Sequence, residues 1–354
     1  MNAAIHIEEY ILLLQSLIKV LSLSGHESGT GDIIQSFFEK KGITTERIDN
    51  NIIAKSKSFD DRKPTIILNS HHDTVKIGND WTYDPLGATI ENGKLFGRGS
   101  NDAGGALVSL IATFVHFYNH DLPFNLVLIA SGEEENFGPN GVSKVLSTLV
   151  LDPAFGIIGE PTEMQLGIAE KGLIVIDGVT KGEGGHAARD TGQNALYIAM
   201  DDIQHIKNYN WDKVSEVLGK TKTTVTQATA GSQHNVIPDR CNYVIDCRVN
   251  EHYTLQEVLD ILNSITEGVL TPRSLRWHPS GINSTHPIVN RAKSIGRTPF
   301  GSPTLSDQVH FKCPTVKIGP GVSERSHTAD EYILINEIEE GIGIYIELLE
   351  GLKL

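Results

Sequence analysis

Thr65-Ile-Ile-Leu-Asn-Ser-His-His-Asp73 is the stretch on which the chain turns. Four β-branched or apolar residues run through Asn-Ser into two histidines and an aspartate. A short apolar run of this kind predicts a strand covered on both faces. In an open α/β sheet, ligands bind beyond the carboxyl ends of the strands, where His71, His72 and Asp73 fall. Residues two apart on an extended chain point the same way, so His71 and Asp73 share a side and His72 faces the other. A metal-binding imidazole ordinarily has its second ring nitrogen held by a carboxylate. His71 with Asp73 behind it meets that rule, and His72 meets it less well. A pair of surface histidines at a strand end fits the same stretch, so other stretches must decide.

Outward from this strand, the first part of the chain alternates helix and strand. Ile7–Leu23 reads as a helix, broken by the turn residues of Ser24-Gly-His-Glu-Ser-Gly. Asp32–Lys41 has apolar residues at helical spacing and Gly42 where a C-cap belongs. Ile52–Lys55 predicts a strand. Lys94-Leu-Phe-Gly-Arg-Gly-Ser-Asn-Asp-Ala-Gly-Gly leads into a buried helix over Ala106–Tyr118. Asn125–Ser131 predicts a second core strand ending at Glu133-Glu134-Glu135, and Phe155–Gly159 a third ending at Glu160. The pattern is that of an α/β protein with a doubly wound, mostly parallel sheet.

The texture changes after Gly172. Leu173–Val179, Thr221–Thr229 and Tyr243–Val249 read as strands, and Asn194–Ile206 and Thr254–Ile265 as helices. Strand, helix, strand, strand, helix, strand is the ferredoxin-like α+β pattern. The expected plan is a first domain at residues 1–172 and 282–354, with a second at 173–281 inserted into it. The first domain resumes with a helix near Pro287–Ile295, a strand at Thr315–Ile318, and a last helix. That helix carries Ile338, Ile342, Tyr345, Leu349 and Leu352 along one stripe.

The formal net charge is -14. Nucleic acid and anionic membranes need clustered positive charge, so neither is expected as a partner. No run of about 18 apolar residues predicts a spanning helix. The start, Met1-Asn-Ala-Ala-Ile-His-Ile-Glu-Glu, lacks the basic-then-apolar plan of a signal peptide. Cys241, Cys247 and Cys313 have no metal-type spacing and suggest reduced packing residues. The expected compartment is the cytoplasm.

The strand ends and loops of the first domain carry His71, Asp102, the Glu133–Glu135 run and Glu160, and His327 follows late in Ser326-His-Thr-Ala-Asp. Two histidines with carboxylates and no thiolate suit zinc, cobalt or manganese. Two ions about 3.5–4 Å apart need one bridging carboxylate and further ligands for each. Asp102 as bridge, His71 and Glu160 on one ion, and a glutamate of the run with His327 on the other satisfy that count. Each has a plainer reading: Asp102 as a helix N-cap, the glutamates as a solvated patch, Glu160 and His327 as loop residues.

The ordered set His-Xaa-Asp, Gly-Arg-Gly-Xaa-Xaa-Asp-Xaa-Xaa-Gly, Glu-Glu, Gly-Glu-Pro-Thr, Gly-His-Ala-Ala and Ser-His-Thr resembles the M20 family of di-zinc aminoacylases and peptidases over nearly the whole chain. The resemblance implies a catalytic domain with an inserted lid that also serves as a homodimer surface. It implies zinc ligation by His71, Asp102, Glu135, Glu160 and His327, with Asp73 orienting His71 and Glu134 as general base. A register one residue earlier, with Glu133 as base and Glu134 as ligand, stays open. His186 matches the lid histidine that polarises the substrate carbonyl. Asn235, Arg248 and Gly319 match substrate-binding positions, although Arg248 can also pair with Asp246. Arg189 and Asp190 stand where the family often has proline, and Gly104 replaces the usual lysine after the bridging aspartate. The implied activity is hydrolysis of an N-acyl-L-amino acid, most like acetylornithine deacetylase in arginine biosynthesis, with acetylcitrulline, acetyllysine or succinylornithine as variants. A metallo-dipeptidase or a succinyl-diaminopimelate desuccinylase-like enzyme is the alternative, and a non-catalytic metal-binding protein the contrasting class.

Overall fold

The computed structural model describes residues 6–149, 151–189 and 191–354. The opening pentapeptide and Asp190 of the proline-replacing pair lie outside the described residues. The chain divides into two compact units. The first comprises residues 1–168, 281–300 and 306–354, and the second residues 169–280 and 301–305.

The first unit is built on parallel strands. Asn125–Ser131, Thr65–His71, Pro153–Ile158 and Thr315–Lys317 lie side by side, all parallel. Every residue of Thr65–His71 and Asn125–Ser131 is buried, so these strands read as continuous apolar runs and not as alternation. The flanks are antiparallel: Asn51–Lys55 and then Thr45–Ile48 on one side, Leu166–Glu170 on the other. The centre of the sheet is thus the predicted parallel one, and the reversals are confined to its edges.

Helix Gly105–Phe117 packs against this sheet and against the first and last helices. Phe114 within it meets Phe38 edge to face, with centroids 6.0 Å apart, a pairing worth about 0.5–1.5 kcal/mol beyond its buried area. The last helix, Ile335–Leu349, buries the expected Ile338, Ile342, Tyr345 and Leu349, with Leu352 buried just past its end. The first helix is Ile7–Ile18, shorter than its apolar pattern suggests. Tertiary contacts explain the early stop. Ser22 O accepts from Thr74 N at 2.8 Å, and Leu23 bridges Thr74 in parallel, so the chain is extended there.

In the second unit, Gly172–Lys181, Lys222–Ala230, Arg240–Val249 and Val269–Pro272 form a four-stranded antiparallel sheet. Helices Ala195–Asn208 and Leu255–Ile265 share its core. The second of these opens with a Thr254–Glu257 capping box.

Candidate metal centre

His71 ends its strand with an imidazole only 1% exposed. Its Nδ1 lies 3.0 Å from the Asp73 carbonyl oxygen and 3.5 Å from the Asp73 carboxylate. With the ring proton directed there, Nε2 presents a lone pair to a group of carboxylates. Asp102 Oδ1 is 3.2 Å from that nitrogen, Glu160 Oε1 3.8 Å and Glu134 Oε2 3.9 Å. On the other side, His327 Nε2 lies 3.0 Å from Glu135 Oε2 and 3.5 Å from Asp102 Oδ2. One carboxylate, Asp102, therefore sends one oxygen toward each imidazole.

Each element delivers its group for a local reason. The loop before Asp102 turns through Gly99 at φ 77°, where a Cβ would meet Thr74 Cγ2 at 2.5 Å, so only glycine fits. Helix Gly105–Phe117 starts without a side-chain cap, so Asp102 is not serving as one. The three glutamates follow the buried strand Asn125–Ser131 and separate cleanly. Glu133, at φ 56°, turns its carboxylate to the Asn140 backbone and side-chain amides at 2.9 and 3.0 Å. Glu134 and Glu135 face the cluster. Of the two registers open in the sequence, this geometry puts Glu134 and Glu135 among the ligand-type groups and leaves Glu133 outside.

Asp73 does more than face His71. Its carboxylate accepts from Ser24 Oγ at 2.7 Å and from the backbone N–H groups of Glu134 and Glu135, both at 3.1 Å. Glu160 follows strand Pro153–Ile158, and its backbone lies against Gly319. A Cβ on Gly319 would sit 2.5 Å from Glu160 O and 2.9 Å from Ala106 Cβ. The glycine's close approach is thus to the segment carrying Glu160.

The electrostatics are those of a self-repelling anionic cluster. Burial pushes Glu160 up to about 8, with Asp102 and Glu135 adding to the effect. Burial, with Glu160, Asp307 and Glu135 nearby, holds Glu134 well above the ordinary carboxylate range. For His71, burial opposes the charged form, but Glu134, Asp102, Asp73 and Glu160 override it and raise its pKa. Among the described residues Glu134 and Glu160 both face His71 Nε2, and the Lys317 ammonium only partly offsets the burial of Glu160. Buried carboxylates so poorly satisfied call for protons or cations. Ligand-type atoms of His71, Glu134 and Glu160, and of His71, Asp102 and Glu135, lie within 4.8 Å of one another. The donor set fits divalent cations of the zinc, cobalt and manganese type.

His186, Asn235 and Arg248 belong to the second unit. His186 pairs with Val236 in a two-residue ladder, and Ala187 N donates to Asn235 O at 3.0 Å, so the His186 and Asn235 loops are neighbours. His186 is exposed, and its Nδ1 accepts from Ala188 N at 3.1 Å. Arg248 turns its guanidinium onto Asp246, Nε and Nη2 donating at 2.9 and 3.1 Å. That is the ion pair the sequence also allowed.

Sequence reasoning missed the supports. Buried Glu27, read only as part of a helix-breaking turn, accepts from Gly25 N, Asn50 Nδ2 and Glu133 N at 2.6, 2.7 and 3.1 Å. Buried Glu331 accepts from the loop of Asp102. Asp307, pushed up to about 7 by burial, accepts from Ser131 Oγ at 2.6 Å. The signal for Glu331 was its place four residues after His327. His72, on the far side of the strand as expected, contacts Thr30 Oγ1 and Asn50 O at 2.8 and 3.0 Å, and burial brings it down to about 4.

Residues 67–351 match the family described as Peptidase family M20/M25/M40. The chain is 26% identical to succinyl-diaminopimelate desuccinylase 2 of Ruegeria sp. (strain TM1040), over 97% of this chain and 95% of that one. It is 24% identical to succinyl-diaminopimelate desuccinylase of Wolbachia pipientis wMel, over 96% and 92%. Among solved structures, the M20 family metallo-carboxypeptidase Sso-CP2 from Sulfolobus solfataricus is similar with a TM-score of 0.80 at 17% identity, covering 97% and 98% of the two chains. The YXEP protein of Bacillus subtilis, a dinuclear metal-binding peptidase of the M20 family, is similar with a TM-score of 0.75 at 18% identity, covering 97% and 98%.

Proposed function

The chain belongs to peptidase family M20/M25/M40 and is a metal-dependent hydrolase, and on that premise we propose that it cleaves the amide bond of an N-acyl-L-amino acid, releasing the amino acid and a carboxylate. The observation that carries this reading is Glu134, buried and without a hydrogen-bond donor, beside a carboxylate that spans two imidazoles. His71, Asp102, Glu135, Glu160 and His327 would hold two divalent cations, zinc in the first instance, with cobalt or manganese as substitutes. Bound there, such ions supply Lewis acidity and lower the pKa of water toward neutrality.

Glu134 takes the proton of the attacking water and passes it to the leaving amine nitrogen, a role that suits a carboxyl whose pKa burial has raised. His186 donates to the carbonyl oxygen as charge develops there. Asn235 lies beside His186 within the second unit and Gly319 beside Glu160 within the first, and both are proposed as substrate contacts. Arg248 receives a substrate carboxylate by exchange with Asp246, keeping its two-pronged geometry.

For the acyl group, the desuccinylases with full-length similarity favour a succinyl amide over the acetylornithine reading. A lysine-type biosynthetic setting then replaces the arginine one. We further infer a homodimer through the second unit. Strand Lys222–Ala230 is paired on one side only among the described residues, and it carries mostly exposed side chains. The helix beside it shows Tyr197 and Met200 at 65% and 56% exposure on one face. None of the described helices is long and apolar enough to cross a membrane.

The test is turnover with zinc or cobalt on N-succinyl-diaminopimelate, N-acetylornithine and unblocked dipeptides, for the wild type and Glu134→Gln. Release of free amine from an N-acyl amino acid, with a loss of about 10²–10⁴-fold in the variant at unchanged metal content, is the expected result. A fully active Glu134→Gln, or cleavage of dipeptides alone, refutes the reading.

A further inference from the structure

Asp102 can serve both imidazoles only if its backbone is held still. The loop that carries it, Gly97–Asp102, is held by groups outside it. Its fixed point comes from elsewhere in the chain. The Glu331 side chain is fully buried. Its Oε1 accepts from Asn101 N and Asp102 N, both at 3.0 Å, and its Oε2 accepts from Gly99 N at 3.1 Å and Arg98 Nη1 at 2.9 Å. Its backbone oxygen accepts from Gly97 N at 2.9 Å. One residue thus holds four residues of the loop, Arg98, Gly99, Asn101 and Asp102, by its side chain and a fifth, Gly97, by its main chain.

The placement of Glu331 is itself fixed. Tyr332–Leu334 pairs antiparallel with Lys94–Phe96, so Glu331 stands at the end of that ladder opposite the loop. Four residues earlier the same segment carries His327. Asn101 completes the tie: its side chain donates to Val322 O at 3.0 Å and Ser326 Oγ at 3.3 Å and accepts from Val322 N at 2.9 Å. The segment that brings one imidazole also fixes the carboxylate between the imidazoles.

We infer that Glu331 is a positioning residue for the metal centre: by binding the N–H groups of Gly99, Asn101 and Asp102 it fixes Asp102 so that one oxygen faces His71 and the other His327. It touches no substrate. Its carboxylate acts through Asp102, and Arg98 balances its charge. Three backbone donors and a guanidinium saturate both oxygens, which makes Glu331 itself an unsuitable metal ligand. This inference rests on the metal-centre reading above and extends it to a residue outside the ligand set.

Glu331→Gln is the test, because it keeps shape and replaces one acceptor by a donor that faces N–H groups. Zinc affinity is measured by chelator competition, and the visible absorption of the Co²⁺-loaded protein reports geometry around the ion. Loss of a partner that orients a ligand costs roughly 10–100-fold in metal affinity. The expected result is a loss of that size together with an altered cobalt spectrum. Asp330→Asn is the control. Asp330 braces the same segment against Thr82 and Tyr83 without reaching the Asp102 loop, and it should leave both readouts near wild type. Glu331→Asp retains the charge opposite Arg98 and serves if the glutamine variant does not fold; its affinity should fall between the two. Wild-type zinc affinity and an unchanged cobalt spectrum in a folded Glu331 variant overturn the inference, as does an equal loss in Asp330→Asn. A wild type that binds no divalent cation refutes the centre itself, a separate result.

Discussion

Asp73→Asn should cost this protein more than an oriented imidazole. The wild-type carboxylate, 0% exposed, accepts from Ser24 Oγ through Oδ2, from Glu134 N through Oδ1 and from Glu135 N through Oδ2. An asparagine of the same shape must turn its NH₂ toward one of the two backbone donors. Leaving one buried N–H unpaired costs about 1–3 kcal/mol. The bonds that remain lose their charge assistance, which accounts for roughly half their strength. Together these give a loss of about 2–4 kcal/mol, which at roughly 2–4 °C per kcal/mol lowers the Tm of the metal-free protein by about 5–15 °C. Because Glu134 and Glu135 hang from the same carboxylate, zinc affinity and kcat should fall along with it, the affinity by about 10–100-fold. The assays are thermal denaturation without metal, chelator competition for zinc, and turnover. Ser24→Ala in the same background should be non-additive with Asp73→Asn by more than about 0.5 kcal/mol, since both act on one oxygen. A variant that melts within about 1 °C of wild type and binds zinc equally would show that the Asp73 hydrogen bonds do not hold the glutamate loop.

Gly319→Ala places a Cβ 2.5 Å from Glu160 O, so it should destabilise the protein by about 1–3 kcal/mol and weaken metal binding; unchanged Tm and zinc affinity would refute that packing. The wild type should sediment at twice the chain mass, and a Tyr197→Glu/Met200→Glu variant as a single chain. A monomeric wild type ends the dimer proposal.

The residues at strand ends were readable because a buried strand that runs into charge has few innocent explanations. Thr65–His71 and Asn125–Ser131 end where their apolar runs predict, and the parallel centre of the sheet follows from those runs. The supports were not readable, because each depends on a partner far away. Glu331 lies more than two hundred residues from the N–H groups it binds, so its nearness to His327 in sequence could single it out but not reveal its partners. Ser22 and Leu23 looked like the end of a helix, but Thr74 draws them into extended chain, while Ser24 begins the turn that was expected. The strands Thr89–Glu91, Lys94–Phe96 and Tyr332–Leu334 are each too short to show a period of two. The fourth strand of the second unit, Val269–Pro272, was demanded by the pattern but not located. Residues 301–305 join the second unit because Gly301 packs against Val217 O, a contact no composition change announces.

Five carboxylates of the first unit, Glu27, Asp73, Glu331, Glu134 and Glu160, fall into two chemical classes. Glu27, Asp73 and Glu331 are saturated by protein donors: backbone N–H groups in every case, with Asn50, Ser24 or Arg98 added. Their oxygens are hydrogen-bonded within the fold, although burial and the nearby Asp102 still push Glu331 up to about 7. Glu134 and Glu160 have no such donors and face an imidazole at 3.9 and 3.8 Å. The first class holds backbone, and the second is left to hold something the chain does not itself supply. The saturated carboxylates also grip loops that reach the cluster: Glu27 and Asp73 the run that carries Glu134, Glu331 the loop that carries Asp102. Preorganisation and charge are therefore supplied by different residues. A substitution in the first class should disturb geometry at constant charge on the ligands, and one in the second should change charge at constant geometry.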